Sequence, residues 1–192
     1  MTTWWWVRHG PTHSKALIGW TDLAADLSDL AALERLDDLL PKQALVVSSD
    51  LIRCVKTADA ISQNRTRLPH APEIRELNFG DWESRTFGEV SKSDPDTSRA
   101  YWADPGDVAP PNGESWNQTS ARVSAYVDRL NQSHQGQNIV AVAHFGVILT
   151  QLQRAGRMTA RSALSFKIDN LSVTRLEFLD PDWRVQSVNQ IP

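Results

Sequence analysis

Residues 4–12 have the sequence Trp-Trp-Trp-Val-Arg-His-Gly-Pro-Thr, an apolar run that passes directly into Arg8, His9 and Gly10. The run has the length and β-rich composition of a buried strand, so these three residues stand at its carboxyl end. Ligands bind beyond that end in open α/β sheets, and Gly10 has no Cβ to keep them from the backbone. An arginine fork matches phosphate oxygens and a neutral imidazole can attack phosphorus, so the stretch indicates phosphoryl chemistry.

A second apolar run, residues 139–143, ends in the same way at His144. Its composition is typical of a strand buried on both faces of a parallel sheet. Neighbouring strands lie about 4.8 Å apart. If the two strands are neighbours, His9 and His144 can therefore flank one phosphate group.

The composition excludes several classes of partner. The chain has 41% hydrophobic and 22% charged residues and a net charge of -3, which is ordinary for a globular protein and provides no basic field for nucleic acid. No apolar run is long enough to cross a bilayer, and the amino terminus lacks the pattern of a signal peptide, so we expect a cytoplasmic protein. The histidines and carboxylates lack the spacing of a metal site, and we expect no metal or other cofactor.

Periodicity and turn residues predict the remaining elements. We expect a polar loop over residues 13–29 that lies over the site. We also expect a helix beginning near residue 51 that is capped by side chains of residues 48–50. Further helices are predicted at 30–40, 116–133 and 146–155, and further strands at 44–47, 171–178 and 184–188, the last two forming an antiparallel edge.

Four further segments carry recognisable motifs, in chain order: residues 48–58, 74–83, 112–115 and 140–147. Together with residues 7–12 they resemble the signature of the histidine phosphatase superfamily, which includes phosphoglycerate mutases and many small phosphatases. Five ordered matches are far more specific than one Arg-His-Gly triplet. The resemblance implies a three-layer α/β/α sandwich with a mostly parallel central sheet. The resemblance further implies that residues 1–192 form a single domain, with a lid or specificity insertion at about 80–115.

The resemblance also implies roles for individual residues. His9 corresponds to the nucleophile that forms a phosphohistidine, and Glu76 to the acid that protonates the leaving oxygen. A carboxyl group shielded from water has a raised pKa, which suits that task. The residues expected to bind and stabilise the phosphoryl group are Arg8, Thr12, Arg53, His144 and the backbone of Phe145.

The chain departs from the family pattern in four respects. Residues 19–22, Gly-Trp-Thr-Asp, match a family element at a shorter spacing, and Pro11 stands where the family has glutamate. The phosphate-contacting asparagine has no clear counterpart, and Lys15 either takes that role or is a solvated lysine. Phe145 replaces a frequent glycine and narrows the space near the phosphate. Glu83 corresponds to a structural capping residue.

The segment 80–115 is long enough for one or two short helices. Its aromatic residues, Phe87, Tyr101 and Trp102, either pack the lid down or contact an apolar part of the substrate. We expect packing, because large aromatic side chains bury most of their surface in any compact domain. The segment is expected to set specificity.

The sequence therefore predicts a phosphatase that acts on a small-molecule phosphomonoester. Two alternatives stay open: a phosphoglycerate mutase with the same site, and a non-catalytic binder of phosphorylated ligands. The short, slightly acidic chain favours hydrolysis over the mutase reaction. A non-catalytic binder is disfavoured because the chain retains five residues of the catalytic pattern: Arg8, His9, Arg53, Glu76 and His144. The sequence leaves three candidate substrates: a nucleotide-loop phosphate such as alpha-ribazole phosphate, a sugar phosphate, and a phosphoglycolate-like acid. It does not indicate the oligomeric state.

Overall fold

Strand β1 (Thr2–Arg8) lies inside a six-stranded sheet with the order β3-β2-β4-β1-β5-β6. The computed structural model of the protein describes residues 1–192. Strands β1 to β4 run parallel, and β5 and β6 add an antiparallel edge, as predicted. The other strands are β2 (Leu45–Ser48), β3 (Thr66–Arg67), β4 (Asn138–Ala143), β5 (Val173–Phe178) and β6 (Trp183–Gln190).

Helices cover both faces of this sheet. One apolar cluster joins α1 and α2 to the sheet, and a larger one of 26 buried residues joins α5 and α6 to the opposite face. The three-layer α/β/α prediction is therefore confirmed. No helix combines the length and the apolar character that a membrane span requires. The helices are α1 (Leu30–Leu39), α2 (Ile52–Ala60), α3 (Phe87–Ser93), α4 (Pro95–Ala103), α5 (Trp116–Ser133), α6 (Phe145–Gly156) and α7 (Ala160–Leu164).

Strand β1 is packed from both sides, which explains its continuous apolar sequence. Trp4 and Trp6 belong to the larger cluster, with their rings stacked at 5.2 Å, and Val7 belongs to the smaller one. The indole N–H of Trp4 donates to Asn131 of α5 at 2.9 Å. The carboxyl end of β1 is thus held by side chains on both faces of the sheet.

The start of α2 differs from the prediction. No side chain of residues 48–50 caps the helix, whose N-cap is Leu51. Instead, the carboxylate of Asp22 accepts the backbone N–H of Ile52, the first residue of the helix, at 2.7 Å. Ser49 Oγ accepts only the N–H of Leu51, which precedes the helix, at 3.3 Å. The prediction was wrong because the cap comes from the loop of residues 13–29, which folds over this end of the helix.

Two short helices, α3 and α4, lie in the segment 80–115. Tyr101 of α4 is buried against Phe79 and Trp82, as expected for a packing aromatic. Phe87 is exposed, so not every aromatic residue of the segment serves packing. Strand β3 and helix α7 were not predicted, because two and five residues are too short for a periodicity to appear.

Two leucines of α1 test this packing. Leu36 is 0% exposed and Leu30 is 67% exposed. We expect Leu36→Ala to lower the free energy of unfolding by about 2 to 5 kcal/mol. Leu30→Ala should change it by no more than about 0.5 kcal/mol. Urea denaturation followed by tryptophan fluorescence measures both, and equal losses would contradict the packing described for α1.

Candidate active site

Two histidines meet where β1 and β4 end. The strands are parallel neighbours with Arg8 opposite Ala143, and the backbone N–H of His9 donates to the Ala143 carbonyl at 3.1 Å. The rings of His9 and His144 lie edge to face, with centroids 5.2 Å apart. The two strand ends that the sequence pointed to are thus brought together.

His9 is held in one tautomer. Its Nδ1 lies 2.7 Å from the carbonyl of Gly10, which can only accept a hydrogen bond, so Nδ1 carries the hydrogen and Nε2 the lone pair. Burial, and then the charge of Arg53, lowers the pKa of His9 to about 3. Two further hydrogen bonds support this turn. Asn170, which the sequence gave no reason to single out, donates to the His9 carbonyl at 2.8 Å. The hydroxyl of Thr57, which lies in the motif of residues 48–58, accepts the Gly10 N–H at 3.0 Å.

Arg53 is buried, and its side chain connects α2 to the loop of residues 13–29 through hydrogen bonds. Its Nε donates to His144 Nδ1 at 3.2 Å, and its two terminal nitrogens donate to the carbonyls of Thr21 at 2.8 Å and Gly19 at 2.6 Å. Three of its five N–H groups are thereby used, which leaves two. The position of Arg53 in the first turn of α2 matches the prediction. Its hydrogen bonds to the carbonyls of the loop were not indicated by any feature of the sequence.

His144 does not occupy the place that the sequence suggested. Its ring is 0% exposed, and it is absent from the wall of the cavity beside His9. It lies behind that wall, where it accepts a hydrogen bond from Arg53 and contacts Cys54 Sγ at 3.3 Å. Burial, followed by Arg53, lowers its pKa well below the usual value. His144 therefore supports Arg53 and His9 from behind.

Arg8 lines the cavity from the side of β1. One terminal nitrogen donates to the carbonyl of Ile168 at 2.7 Å, and the guanidinium carbon lies 5.7 Å from the ring centre of Phe145. Its Nε is buried without a partner in the protein. Burial lowers the pKa of Arg8, and the charges of Glu76 and Asp169 oppose that shift. The site thus has a cation with unused donor capacity.

Glu76 is a buried carboxyl on the opposite wall. Its oxygens accept the backbone N–H groups of Leu77 and Gly146, each at 3.1 Å. Burial raises the pKa of Glu76 despite these two bonds. Gly146 is necessary here, because a Cβ at that position would lie 2.0 Å from Leu77 Cδ1 and 2.6 Å from Glu76 Oε1. The carboxyl is therefore fixed in place, and its burial favours the protonated form.

A second set of bonds fixes the backbone of Glu76. Its carbonyl accepts from the Trp20 indole at 2.8 Å and from Arg122 at 3.3 Å. Arg122 also donates to both oxygens of Glu114, at 3.0 and 2.7 Å, and Glu114 accepts the N–H of Asn78 at 3.1 Å. Arg122 was not predicted, because an arginine on a helix is solvated by default.

Glu83 fixes the loop that holds Arg53. Its carboxylate accepts the backbone N–H groups of Gly19 at 3.1 Å, Trp20 at 2.7 Å and Thr21 at 3.2 Å. These bonds agree with the structural capping role inferred for Glu83. The loop carbonyls that orient Arg53 are consequently held by the segment that also carries Glu76.

The cavity between these residues has a volume of about 220 Å³. Thr12 and Phe145 line it, whereas the exposed Lys15 is not among the lining residues. Cys54 is packed, and burial raises the pKa of its thiol well above the ordinary value. The complete lining is Arg8, His9, Thr12, Ser14, Ala16, Leu17, Ile18, Arg53, Glu76, Phe79, Trp102 and Phe145.

Fold and site together are those of an α/β enzyme that handles phosphoryl groups. The chain belongs to the histidine phosphatase superfamily (branch 1), whose family model matches residues 4–191. It is a phosphatase of that superfamily.

Three known proteins illustrate the likeness. The adenosylcobalamin/alpha-ribazole phosphatase of Escherichia coli (strain K12) is 30% identical over 86% of this chain and 84% of its own length. Phosphoglycerate mutase-like protein 4 of Arabidopsis thaliana is 32% identical over 94% of this chain and 81% of its own. The structure of YhfR from Bacillus stearothermophilus has a TM-score of 0.89 at 23% identity, covering 100% of this chain and 98% of that one, which shows the shared fold.

The lowered pKa of His9 predicts a pH dependence of stability. Between the ordinary value of 6.5 and the folded value of about 3, the unfolded chain binds a proton at His9 that the folded chain does not. His9 should therefore make the protein less stable as the pH falls through this range. Urea midpoints from pH 7 downward should fall less steeply for His9→Gln than for the wild type.

His134→Gln is the control, because it removes a histidine at the end of α5, outside the site. Its midpoints should follow those of the wild type. A His9→Gln slope equal to that of the wild type would contradict the assignment of a buried, neutral imidazole.

Proposed function

We propose that this phosphatase hydrolyses a small phosphorylated metabolite through a phosphohistidine at His9. The observation that carries the proposal is the 2.7 Å hydrogen bond between His9 Nδ1 and the Gly10 carbonyl. It leaves the lone pair on Nε2, the atom that must attack phosphorus. Burial keeps the imidazole uncharged, and an uncharged imidazole is the nucleophilic form.

The first step transfers the phosphoryl group to the enzyme. His9 Nε2 attacks phosphorus in line and forms a P–N bond while the bond to the leaving oxygen breaks. Glu76 lies in the same cavity and gives that oxygen its proton, a role that the raised pKa of its buried carboxyl favours. The alcohol leaves neutral, and Glu76 remains as a carboxylate.

Two guanidinium groups stabilise the oxygens of the transferring group. Arg8 has an unpartnered buried Nε, and Arg53 retains two free N–H groups. Each preorganised donor of this kind contributes about 2.7 to 4 kcal/mol to lowering the barrier. Thr12 and the backbone of Phe145 complete the phosphate site. His144 acts as a positioning residue, because it holds Arg53 Nε from behind.

The second step releases the phosphate. Glu76, now ionised, removes a proton from a water molecule that attacks phosphorus opposite His9 Nε2, and the P–N bond breaks. The products are inorganic phosphate, a neutral His9 and a protonated Glu76, so the site is restored. The names of relatives such as the alpha-ribazole phosphatase of Escherichia coli support water as the acceptor.

Removal of the nucleophile tests the first step. Mass spectrometry after brief exposure to substrate should detect an acid-sensitive phosphoryl group on His9. We expect His9→Ala to abolish that signal and to lower turnover by about a thousandfold or more. Full turnover by His9→Ala would contradict the proposal. His134→Ala removes a histidine outside the site and serves as the control.

The leaving group tests the acid. Glu76→Gln should slow alkyl phosphates by about 10²- to 10⁴-fold, the usual contribution of a positioned acid. It should slow p-nitrophenyl phosphate much less, because nitrophenolate leaves without a proton. Glu73→Gln is the matched control on the same segment, since Glu73 pairs with Arg129 at the surface. Equal losses on both substrates would remove Glu76 from the role of acid.

A further inference from the structure

The connection between α7 and β5 ends in a turn, residues 168–172, that contacts both Arg8 and His9. The carbonyl of Ile168 accepts a hydrogen bond from the Arg8 guanidinium at 2.7 Å. The Arg8 carbonyl accepts a backbone N–H of the turn at 2.9 Å, and the Asn170 side chain donates to the His9 carbonyl at 2.8 Å. The direction of the Arg8 guanidinium and the backbone of His9 therefore depend on the position of this turn.

The backbone of this 168–172 turn is strained. Leu171 has a φ of 62°, a left-handed conformation that is uncommon for a bulky side chain. The Ser172 N–H donates to the Asp169 carbonyl at 3.2 Å, which closes the turn. Residues in such conformations keep them only where the surrounding structure holds them. The turn therefore keeps its position through contacts with neighbouring elements.

Asn189 of β6 makes two hydrogen bonds to this turn. Its side-chain oxygen accepts the Asp169 backbone N–H at 2.6 Å, and its amide nitrogen donates to the Asp169 carboxylate at 2.9 Å. One amide thus pairs with the main chain and the side chain of the same residue. Lys167 also pairs with Asp169, but its side chain is 79% exposed, and ion pairs at the surface contribute little to stability. Asn189 is therefore the stronger support of Asp169.

A β-bulge in β6 directs this amide towards the turn. Two residues of β6, Val188 and Asn189, lie opposite the single residue Thr174 of β5. Asn189 has a φ of 53°, and its N–H donates to Thr174 Oγ1 at 3.2 Å. Asparagine adopts a positive φ more readily than most residues, and bulges redirect the side chains that they carry. The bulge therefore explains how a residue of the outer strand reaches Asp169.

We propose that Asn189, on the outer strand β6, is a positioning residue for the phosphoryl transfer. Its two hydrogen bonds to Asp169 fix the 168–172 turn, and the turn fixes the Arg8 guanidinium and the backbone of His9. Asn189 is absent from the lining of the catalytic cavity, so it acts only through these residues. This inference rests on the proposed function, in which His9 is the nucleophile and Arg8 binds the phosphoryl oxygens.

Asn189→Gly tests the link, because glycine adopts a positive φ without strain and the variant loses only the amide. We expect kcat/KM to fall by about tenfold to a hundredfold, since a catalytic group displaced by about 1 Å can cost about 10²-fold in rate. The loss should be equal for an alkyl phosphate and for p-nitrophenyl phosphate, because His9 and Arg8 serve both substrates. Gln186→Gly is the matched control, since Gln186 is an amide of β6 that donates to Glu177 at 2.7 Å. It should keep the kcat/KM of the wild type.

An exchange of side chains separates positioning from a general loss of stability. Asn189→Asp keeps the acceptor for the Asp169 N–H but sets two carboxylates against each other, so kcat/KM should fall here too. This variant adds no glycine and tests the same link if Asn189→Gly fails to fold. Adding Asp169→Asn to Asn189→Asp exchanges donor and acceptor between the two side chains and restores both hydrogen bonds. This double variant should recover most of the wild-type kcat/KM. All rates are measured where urea denaturation shows each variant to be folded.

Wild-type kcat/KM in the Asn189 variants, an equal loss in Gln186→Gly, or no recovery in the double variant would overturn the inference. Each of these results leaves the phosphatase function intact as long as His9 of the wild type becomes phosphorylated. Release of phosphate by the wild type with no phosphorylation of His9 would instead overturn the proposed function and the inference with it.

Discussion

The parallel pairing of β1 with β4 sets the distances on which the site depends. In the last residue pair of the two strands, Arg8 lies opposite Ala143. The next hydrogen bond, from the His9 N–H to the Ala143 carbonyl, places the His9 and His144 side chains next to each other. A slip of one residue would turn every side chain of β1 to the other face of the sheet. The two apolar clusters prevent that slip, because alternate residues of β1 are buried on opposite sides.

Burial then gives each titratable group its chemical form. The same loss of hydration lowers the pKa of His9 and raises that of Glu76, so it favours an uncharged imidazole and a protonated carboxyl. The guanidinium groups of Arg8 and Arg53 line the same cavity and would attract the dianion of the proposed substrate. One physical effect, burial, thus favours in both residues the form that the proposed phosphoryl transfer requires.

The positions of several site residues were predictable from the sequence, because they directly follow an apolar run and the end of a strand is a local feature. That applies to His9 and to the position of His144 after β4, whereas Arg53 in the first turn of α2 was singled out only by its match to the family pattern. Three features were not predictable: the cap of α2 by Asp22, the burial of His144 behind the cavity, and the hydrogen bond from Arg122 to the Glu76 carbonyl. Each depends on segments 30 or more residues apart that meet only in the folded chain.

The central claim is that His9, Arg8 and Arg53 bind a single phosphoryl group. A crystal structure with orthovanadate tests it most directly, because vanadate adopts the five-coordinate geometry of an in-line transfer. The account predicts vanadium bonded to His9 Nε2, with equatorial oxygens on Arg8 and Arg53 and an apical oxygen beside Glu76. Vanadate bound away from His9, or bonded to another side chain, would contradict it.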